Sequence, residues 1–149
     1  MNCVIGDVRQ LFDHPDFPDL LAEYSAECVN RQLPMPNPSR ELYVRLEATG
    51  VLTVWMVVDG DRLVGFASAL RTVLPHYSRE MVIVESVFVS KRSRANGAGT
   101  LLLKNLEASA AGTGLLLSAP AGSQMEKVLH ARKYACTNTV FCKWLSVDS

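Results

Sequence analysis

VIVESVFVSKRSRANGAGTLLLKNL, running from Val82 to Leu106, is a strand, a basic glycine-containing loop and a helix in succession. Val82 to Val89 is dense in β-branched and aromatic residues, the composition of a buried strand. Leu102, Leu103 and Leu106 stand at the one- and four-residue steps of a single helical face, so a helix begins near Gly99. Between them lies Arg94-Ala95-Asn96-Gly97-Ala98-Gly99. The first amides of a helix have no intrahelical partner, and the helix dipole adds partial positive charge there. Glycine lets the chain turn and lets a ligand approach the backbone. With Lys91, Arg92 and Arg94 alongside, the loop has the chemistry of a phosphate or pyrophosphate site. The Gly-x-x-x-x-Gly-Lys-Ser/Thr run of a P-loop is absent, and so is the third glycine of a dinucleotide fingerprint. Taken alone, the loop also reads as a glycine turn with solvated basic residues.

The spacing resembles motif A of the GNAT superfamily, the N-acetyltransferases that use acetyl-coenzyme A. That motif has a hydrophobic triplet at the end of a strand, Arg or Gln five residues on, then x-x-Gly-x-Gly/Ala. Here Val87-Phe88-Val89 is the triplet, Arg94 is five on, and Gly97 and Gly99 follow. Lys91 stands where the family often has Pro.

At 149 residues the chain is expected to be one GNAT-like domain over residues 1–149, long enough for a substantial core. Hydrophobic residues make up 48% and charged residues 20%, which suits a globular protein and argues against disorder. Lys+Arg and Asp+Glu are both 15, so net charge predicts no nucleic-acid or membrane partner. No apolar run approaches the roughly 20 residues of a membrane span, and no signal peptide is visible. Cys3, Cys28, Cys136 and Cys142 form no Cys-x-x-Cys pair and no zinc-finger spacing with His. They read as reduced, partly buried thiols of a cytoplasmic protein, with no metal site expected.

Elsewhere the pattern predicts a short strand over 2–8 and a helix capped by Asp19 and running from Leu20 to about Arg31. The prolines of Leu33 to Pro38 break the chain before a second helix, Arg40 to Ala48, capped by Ser39 or Asn37. Leu42, Val44 and Leu46 are its expected apolar contributors. Val51 to Val58 and Leu63 to Arg71 are paired strands around an Asp59-Gly60 hairpin turn. Gly65 suggests a bulge or a close backbone approach. Leu115 to Ser118 is a strand running parallel to the central one, because a crossover helix joins them. Ser123 and Glu126 form a capping box for a helix ending near Lys133, and Thr139 to Leu145 reads as a last strand, open to pairing with a second subunit. The expected fold is α/β (α+β): a mixed sheet of six to seven strands with helices on both faces, the GNAT order.

The resemblance implies a central strand and a next parallel strand that splay apart, so that the pantetheine arm of acetyl-CoA lies in the gap. Phe88 and Val89, with Val87 close by, would offer it backbone groups. Arg94, Ala95, Asn96, Gly97, Ala98, Gly99 and Thr100 would hold the pyrophosphate. The two helices after the first strand, and the proline link between them, would border the acceptor. Glu85 is the candidate base, since many GNAT enzymes carry an acid there and a carboxylate in so apolar a strand is costly without a task or partner. A Glu near the strand end that pairs with Arg or Lys, or opens to solvent, is the alternative. Strand alternation would put Glu85 with Val87 and Val89 on one face, Ser86 and Phe88 on the other. In the family's last helix a Tyr serves the leaving thiolate, with an Asn seven residues before and Gly-Phe following. His130 takes the Tyr place, Ser123 the Asn place, and Tyr134-Ala135 replaces Gly-Phe. His130 could protonate a thiolate; Tyr134 serves in a slipped register. An exposed helix residue is the plain reading of His130.

The implied activity is acetyl transfer from acetyl-CoA to a primary amine, small-molecule or protein, by direct attack. The other reading is a GNAT-fold acetyl-CoA-binding or regulatory module without turnover.

Overall fold

The computed structural model describes residues 1–28 and 30–147. In chain order the elements are β1 (Asn2–Gly6), α1 (Val8–Phe12), α2 (Phe17–Glu27), α3 (Arg40–Ala48), β2 (Leu52–Asp59), β3 (Arg62–Leu74) and β4 (Arg79–Val89). A 3-10 turn (Lys91–Asn96), α4 (Ala98–Ser109), β5 (Gly114–Leu116) and α5 (Gln124–Ala131) complete them. The sheet order is β1-β2-β3-β4-β5, antiparallel except for the parallel β4–β5 pair that α4 connects.

Alternation along the strands sorts the core into two clusters, one on each face. Trp55 and Val57 of β2, with Ala67 and Ala69 of β3, pack on Leu102, Leu103 and Leu106 of α4 and Leu129 of α5. Val54, Met56 and Phe66 face the other way, onto Val8 and Leu11 of α1 and Phe17 and Leu20 of α2. Both faces of the sheet are therefore helix-covered, as expected.

Local chemistry explains several boundaries. The five-residue α1 went unanticipated, although Asp7 and Gln10 form a reciprocal capping box at its start. Its Val8 amide also donates to Glu47 Oε2 of α3 at 2.8 Å. α2 begins at Phe17 after the N-cap position Asp16, ahead of the expected cap Asp19, because Pro18 suits a first helical turn. It ends at Glu27, short of Arg31. Ser39, not Asn37, caps α3 by accepting from the Leu42 amide at 3.2 Å. The partly buried stripe of α3 runs through Tyr43, Val44 and Leu46, while Leu42 lies exposed. Ser123 accepts from the Glu126 amide, but the Glu126 carboxylate reaches one residue further back, to the Gly122 amide.

Gly65 meets both expectations. The β2–β3 register slips beside it, leaving Val64 extra, and a Cβ on Gly65 would stand 2.9 Å from the Phe88 carbonyl oxygen.

The last strand is a correction. Residues 135–147 form no regular element, with Phe141 90% and Leu145 75% exposed, so the sheet has five strands rather than six or seven. β-propensity marks Thr139 to Leu145, but a strand also needs an edge to pair with, and β5 offers three residues. The thiols are likewise less buried than expected: Cys3 is half-buried, and Cys28, Cys136 and Cys142 are exposed. Among the described residues no helix is long and apolar enough to cross a membrane.

Candidate active site

β4 builds the site twice over, once through its backbone and once through a bulge. β5 pairs only with Met81, Val82 and Ile83, so beyond Ile83 the two strands part and β4 has an open edge. Peptide groups alternate in direction along a strand. The Ser90 amide donates to Val64 of β3, and the Phe88 carbonyl lies against Gly65, so Phe88 turns its backbone groups inward. Val87 and Val89 are therefore the residues whose N–H and C=O reach the open edge. This corrects the expectation that Phe88 would serve there. The Val89 carbonyl accepts from Arg94 Nε at 3.0 Å.

The bulge is at Glu85. Ser68 pairs with Ser86, but Ala69 pairs with Val84, so Glu85 is the extra residue. An extra residue reverses the alternation. Val82 and Val84 join the α4 cluster before it, and Val87 and Val89 after it. Glu85 is thereby swung off the Val87–Val89 face, where simple alternation had placed it, and onto the α2–α3 face with Ser86 and Phe88. There its Oε2 accepts from the Tyr43 hydroxyl at 2.7 Å and from the Ser68 hydroxyl. With its hydroxyl hydrogen directed at Glu85, Ser68 accepts from the Ser86 hydroxyl at 2.7 Å. Among the described residues nothing bonds to Oε1. Burial, and then the charge of Glu85, raise the Tyr43 phenol well above its usual range and keep it a donor. Burial raises Tyr24 in the same way.

Glu85 opens into a cavity of about 280 Å³ between α1, α2, α3 and the sheet. Phe12, Phe17, Tyr24 and Phe66 supply aromatic walls, Tyr24 meeting Phe66 edge-on at 5.7 Å. Pro36, Asn37 and Pro38 border it, so the proline link does flank this space.

Past Val89 the chain turns through the 3-10 helix into α4. Gly97 makes the turn at φ +84°, a conformation natural to glycine. Among the described residues no protein group accepts from the amides of Gly97, Ala98, Gly99 or Thr100. A Cβ on Gly99 would meet nothing within 4 Å. The residues thus fit a phosphate-bearing acyl carrier: amides with no protein acceptor, an open approach at Gly99 beside a buried Ala98, and an open edge on the strand that precedes them in the chain.

Two of the basic residues, Lys91 and Arg94, are already engaged by α2. Glu23 accepts from the Lys91 amide at 2.9 Å, and Glu27 pairs with Arg94 at 2.6 Å and Lys91 at 3.3 Å. The Arg94 head also lies 5.3 Å from the centre of the Phe88 ring. Desolvation pushes the Glu27 carboxyl up, but hydrogen bonds from Arg94 and Lys91 outweigh it and hold the group below its ordinary range. A phosphate arriving at Arg94 competes with Glu27. Glu27→Gln should therefore tighten acetyl-CoA binding by about threefold at low salt, the equivalent of a pair worth under ~1 kcal/mol. Isothermal titration of both proteins measures this.

The α5 candidates stand apart from this cluster and line no part of the cavity. His130 is exposed, its Nε2 3.8 Å from Glu126. Ser123 is the α5 cap. The Tyr134 hydroxyl donates to Glu107 of α4 at 3.1 Å, and burial followed by that contact push it up to about 12. Arg132 grips the same carboxylate at 3.0 and 2.5 Å and lowers its titration. A lowered carboxylate stabilises the fold above its ordinary value of 4.5 and loses that contribution as pH falls through the folded value. The pair is partly solvated, so Glu107→Gln should cost under about 1 kcal/mol at pH 7, a melting shift of roughly 2–4 °C at most. Melting curves at pH 7 and pH 3 should show the gap shrink in acid.

Tyr43, Ser68 and Ser86 were not singled out in the sequence. Ser68 left a trace, a hydroxyl inside the otherwise apolar run of β3. Tyr43 left one too, sharing its helical face with Val44 and Glu47.

The family model described as Acetyltransferase (GNAT) family matches residues 16–130. The ribosomal-protein-alanine N-acetyltransferase from Brucella melitensis biovar Abortus 2308 superposes with TM-score 0.72 at 17% identity, over 97% of this chain and 100% of that one. An aminoglycoside acetyltransferase from an uncultured soil metagenomic sample superposes with TM-score 0.69 at 14% identity, over 99% and 96%. At these identities the likeness is one of fold. No curated protein sequence matches the chain. A mixed sheet that opens beside a helix N-terminus, together with the family match, defines an acyltransferase. The chain belongs to the GNAT acetyltransferase family.

Proposed function

We propose that the protein transfers an acetyl group from acetyl-CoA to a primary amine by direct attack, with Glu85 as base. One juxtaposition carries this reading. The open edge at Val87 and Val89 leads into the free amides of Gly97 to Thr100, and Glu85 stands two residues from Val87, about 7 Å along the strand.

Bound acetyl-CoA supplies the activated acyl group and a thiolate that leaves. The amides of Gly97 to Thr100 hold its diphosphate, with Arg94, Ala95 and Asn96 leading into them. Val87 and Val89 align its arm through the strand edge. An N–H of that edge donates to the acyl oxygen as negative charge develops, an effect often worth about 3–4 kcal/mol. The acceptor enters from the aromatic cavity. An amine with pKa near 10 arrives mostly as ammonium at pH 7, so one proton must leave before attack. Oε1 of Glu85 is free to take it, while Tyr43 and Ser68 fix the carboxylate through Oε2. The amine nitrogen then bonds to the acyl carbon, the carbon–sulfur bond breaks, and the amide and free thiol are the products. The second amine proton accounts for the thiol's. Tyr134 and His130 remain candidates to deliver it, Tyr134 only on leaving Glu107.

The test is thiol release from acetyl-CoA across a panel of primary amines, with acetyl-CoA binding measured first. Acetylated product is expected with at least one amine. Tight acetyl-CoA binding without transfer to any amine would favour a binding module instead.

A further inference from the structure

The cavity in front of Glu85 has one formal charge and a mostly apolar wall. Of the described residues that line it, Glu85 is the sole acid, and none is Lys, Arg or Asp. Its other polar groups are Tyr24, Tyr43, Ser39, Ser68, Ser86 and Asn37, all uncharged donors or acceptors. Phe12, Phe17, Tyr24, Phe66 and Tyr43 adjoin one another with ring centres 5.0 to 5.7 Å apart, a continuous aromatic wall. The volume of about 280 Å³ is at the small end of ligand sites, which run from about 300 to 1,000 Å³. On its lining, Leu42 of α3 is 46% exposed and Pro36 and Pro38 stand beside it, so the approach is apolar too.

The geometry points to an acceptor with a single amine on an uncharged, apolar body, of the arylalkylamine or alkylamine kind. This rests on the reading of Glu85 and the β4 edge as an acetyl-transfer site. The one carboxylate matches one ammonium. A second ammonium, as in a diamine, polyamine or aminoglycoside, would enter an apolar wall with no counter-charge. A carboxylate beside the amine, as in a free amino acid, would meet Glu85 with no cation to offset it. The aromatic wall accepts a flat or branched hydrocarbon body, and a site built this way discriminates through the groups it leaves unpaired.

The test compares 2-phenylethylamine and hexylamine with 1,6-diaminohexane, spermidine, kanamycin and phenylalanine. Equilibrium binding to the coenzyme A-loaded protein is measured by calorimetry, and kcat/KM with acetyl-CoA. The two apolar monoamines should bind at least tenfold more tightly than 1,6-diaminohexane or phenylalanine. Equal or reversed binding overturns the assignment. Because this arm needs no turnover, it decides the acceptor class even if no amine is acetylated, a result that would overturn the transferase reading alone. The Leu42→Glu variant adds a second carboxylate at the exposed mouth, away from the buried core. It should raise kcat/KM for 1,6-diaminohexane relative to hexylamine at least fivefold, and an unchanged ratio would contradict the proposed placement of the acceptor's body.

Discussion

Glu85→Gln is expected to lower kcat/KM for amine acetylation by about 10²- to 10⁴-fold, the usual range for loss of a general base. The substitution is nearly isosteric, and the Gln amide oxygen can still accept from Tyr43 and Ser68. The fold and the α4 amides are therefore left alone, and acetyl-CoA affinity should not change. The pH dependence separates the base from a merely structural role. In the proposed mechanism Glu85 is needed because the amine is protonated at neutral pH. As pH rises toward about 10 the amine loses that proton to solvent, and the deficit of the variant should narrow. A deficit constant from pH 7 to pH 10 would mean that Glu85 positions the acceptor and does not take its proton. Tyr43→Phe is a milder companion: it removes one donor to Oε2 and leaves the base in place.

Gly99→Val is expected to weaken acetyl-CoA binding by about 10- to 100-fold while the melting temperature stays level or rises slightly. The structure offers an unusual separation of fold from ligand here. A Cβ at Gly99 meets no protein atom within 4 Å, and valine is a better helix former than glycine. On the proposed binding mode, the open space it fills is where the diphosphate approaches the amides of Gly97 to Thr100. Losing one charge-assisted hydrogen bond, about 1.5–3 kcal/mol, accounts for the expected change. Gly97 would be a poorer probe, because its φ of +84° would make most substitutions strain the turn itself. Unchanged acetyl-CoA affinity in a folded Gly99→Val protein would remove this loop from the donor site.

These two residues also mark how far the sequence could be read. The glycine loop and its flanking strand and helix were legible because their signals are local: β-branched density, helical spacing of Leu102, Leu103 and Leu106, and glycines between. Gly65 was legible for the same reason. The bulge at Glu85 was not. β4 is apolar on both faces, so it carries no alternation whose break would show. The extra residue becomes visible only against β3, where Ser68 meets Ser86 and Ala69 meets Val84. The partners of Glu85 were hidden likewise, since Tyr43 and Ser68 come to it from distant parts of the chain. α1 was missed because one turn of helix has too few residues to show a period, although its capping box was written in Asp7 and Gln10. The opposite failure occurred at Thr139 to Leu145. There the composition of a strand was plain, but composition does not supply a ladder partner.

The central claim is that the amides at the start of α4 bind the diphosphate of acetyl-CoA. The direct measurement is a titration of the amide ¹⁵N–¹H spectrum with coenzyme A. The resonances of Gly97, Ala98, Gly99 and Thr100 should shift together and saturate at one equivalent, with Val87 and Val89 following. Saturable binding that leaves those four amides unmoved would contradict the account.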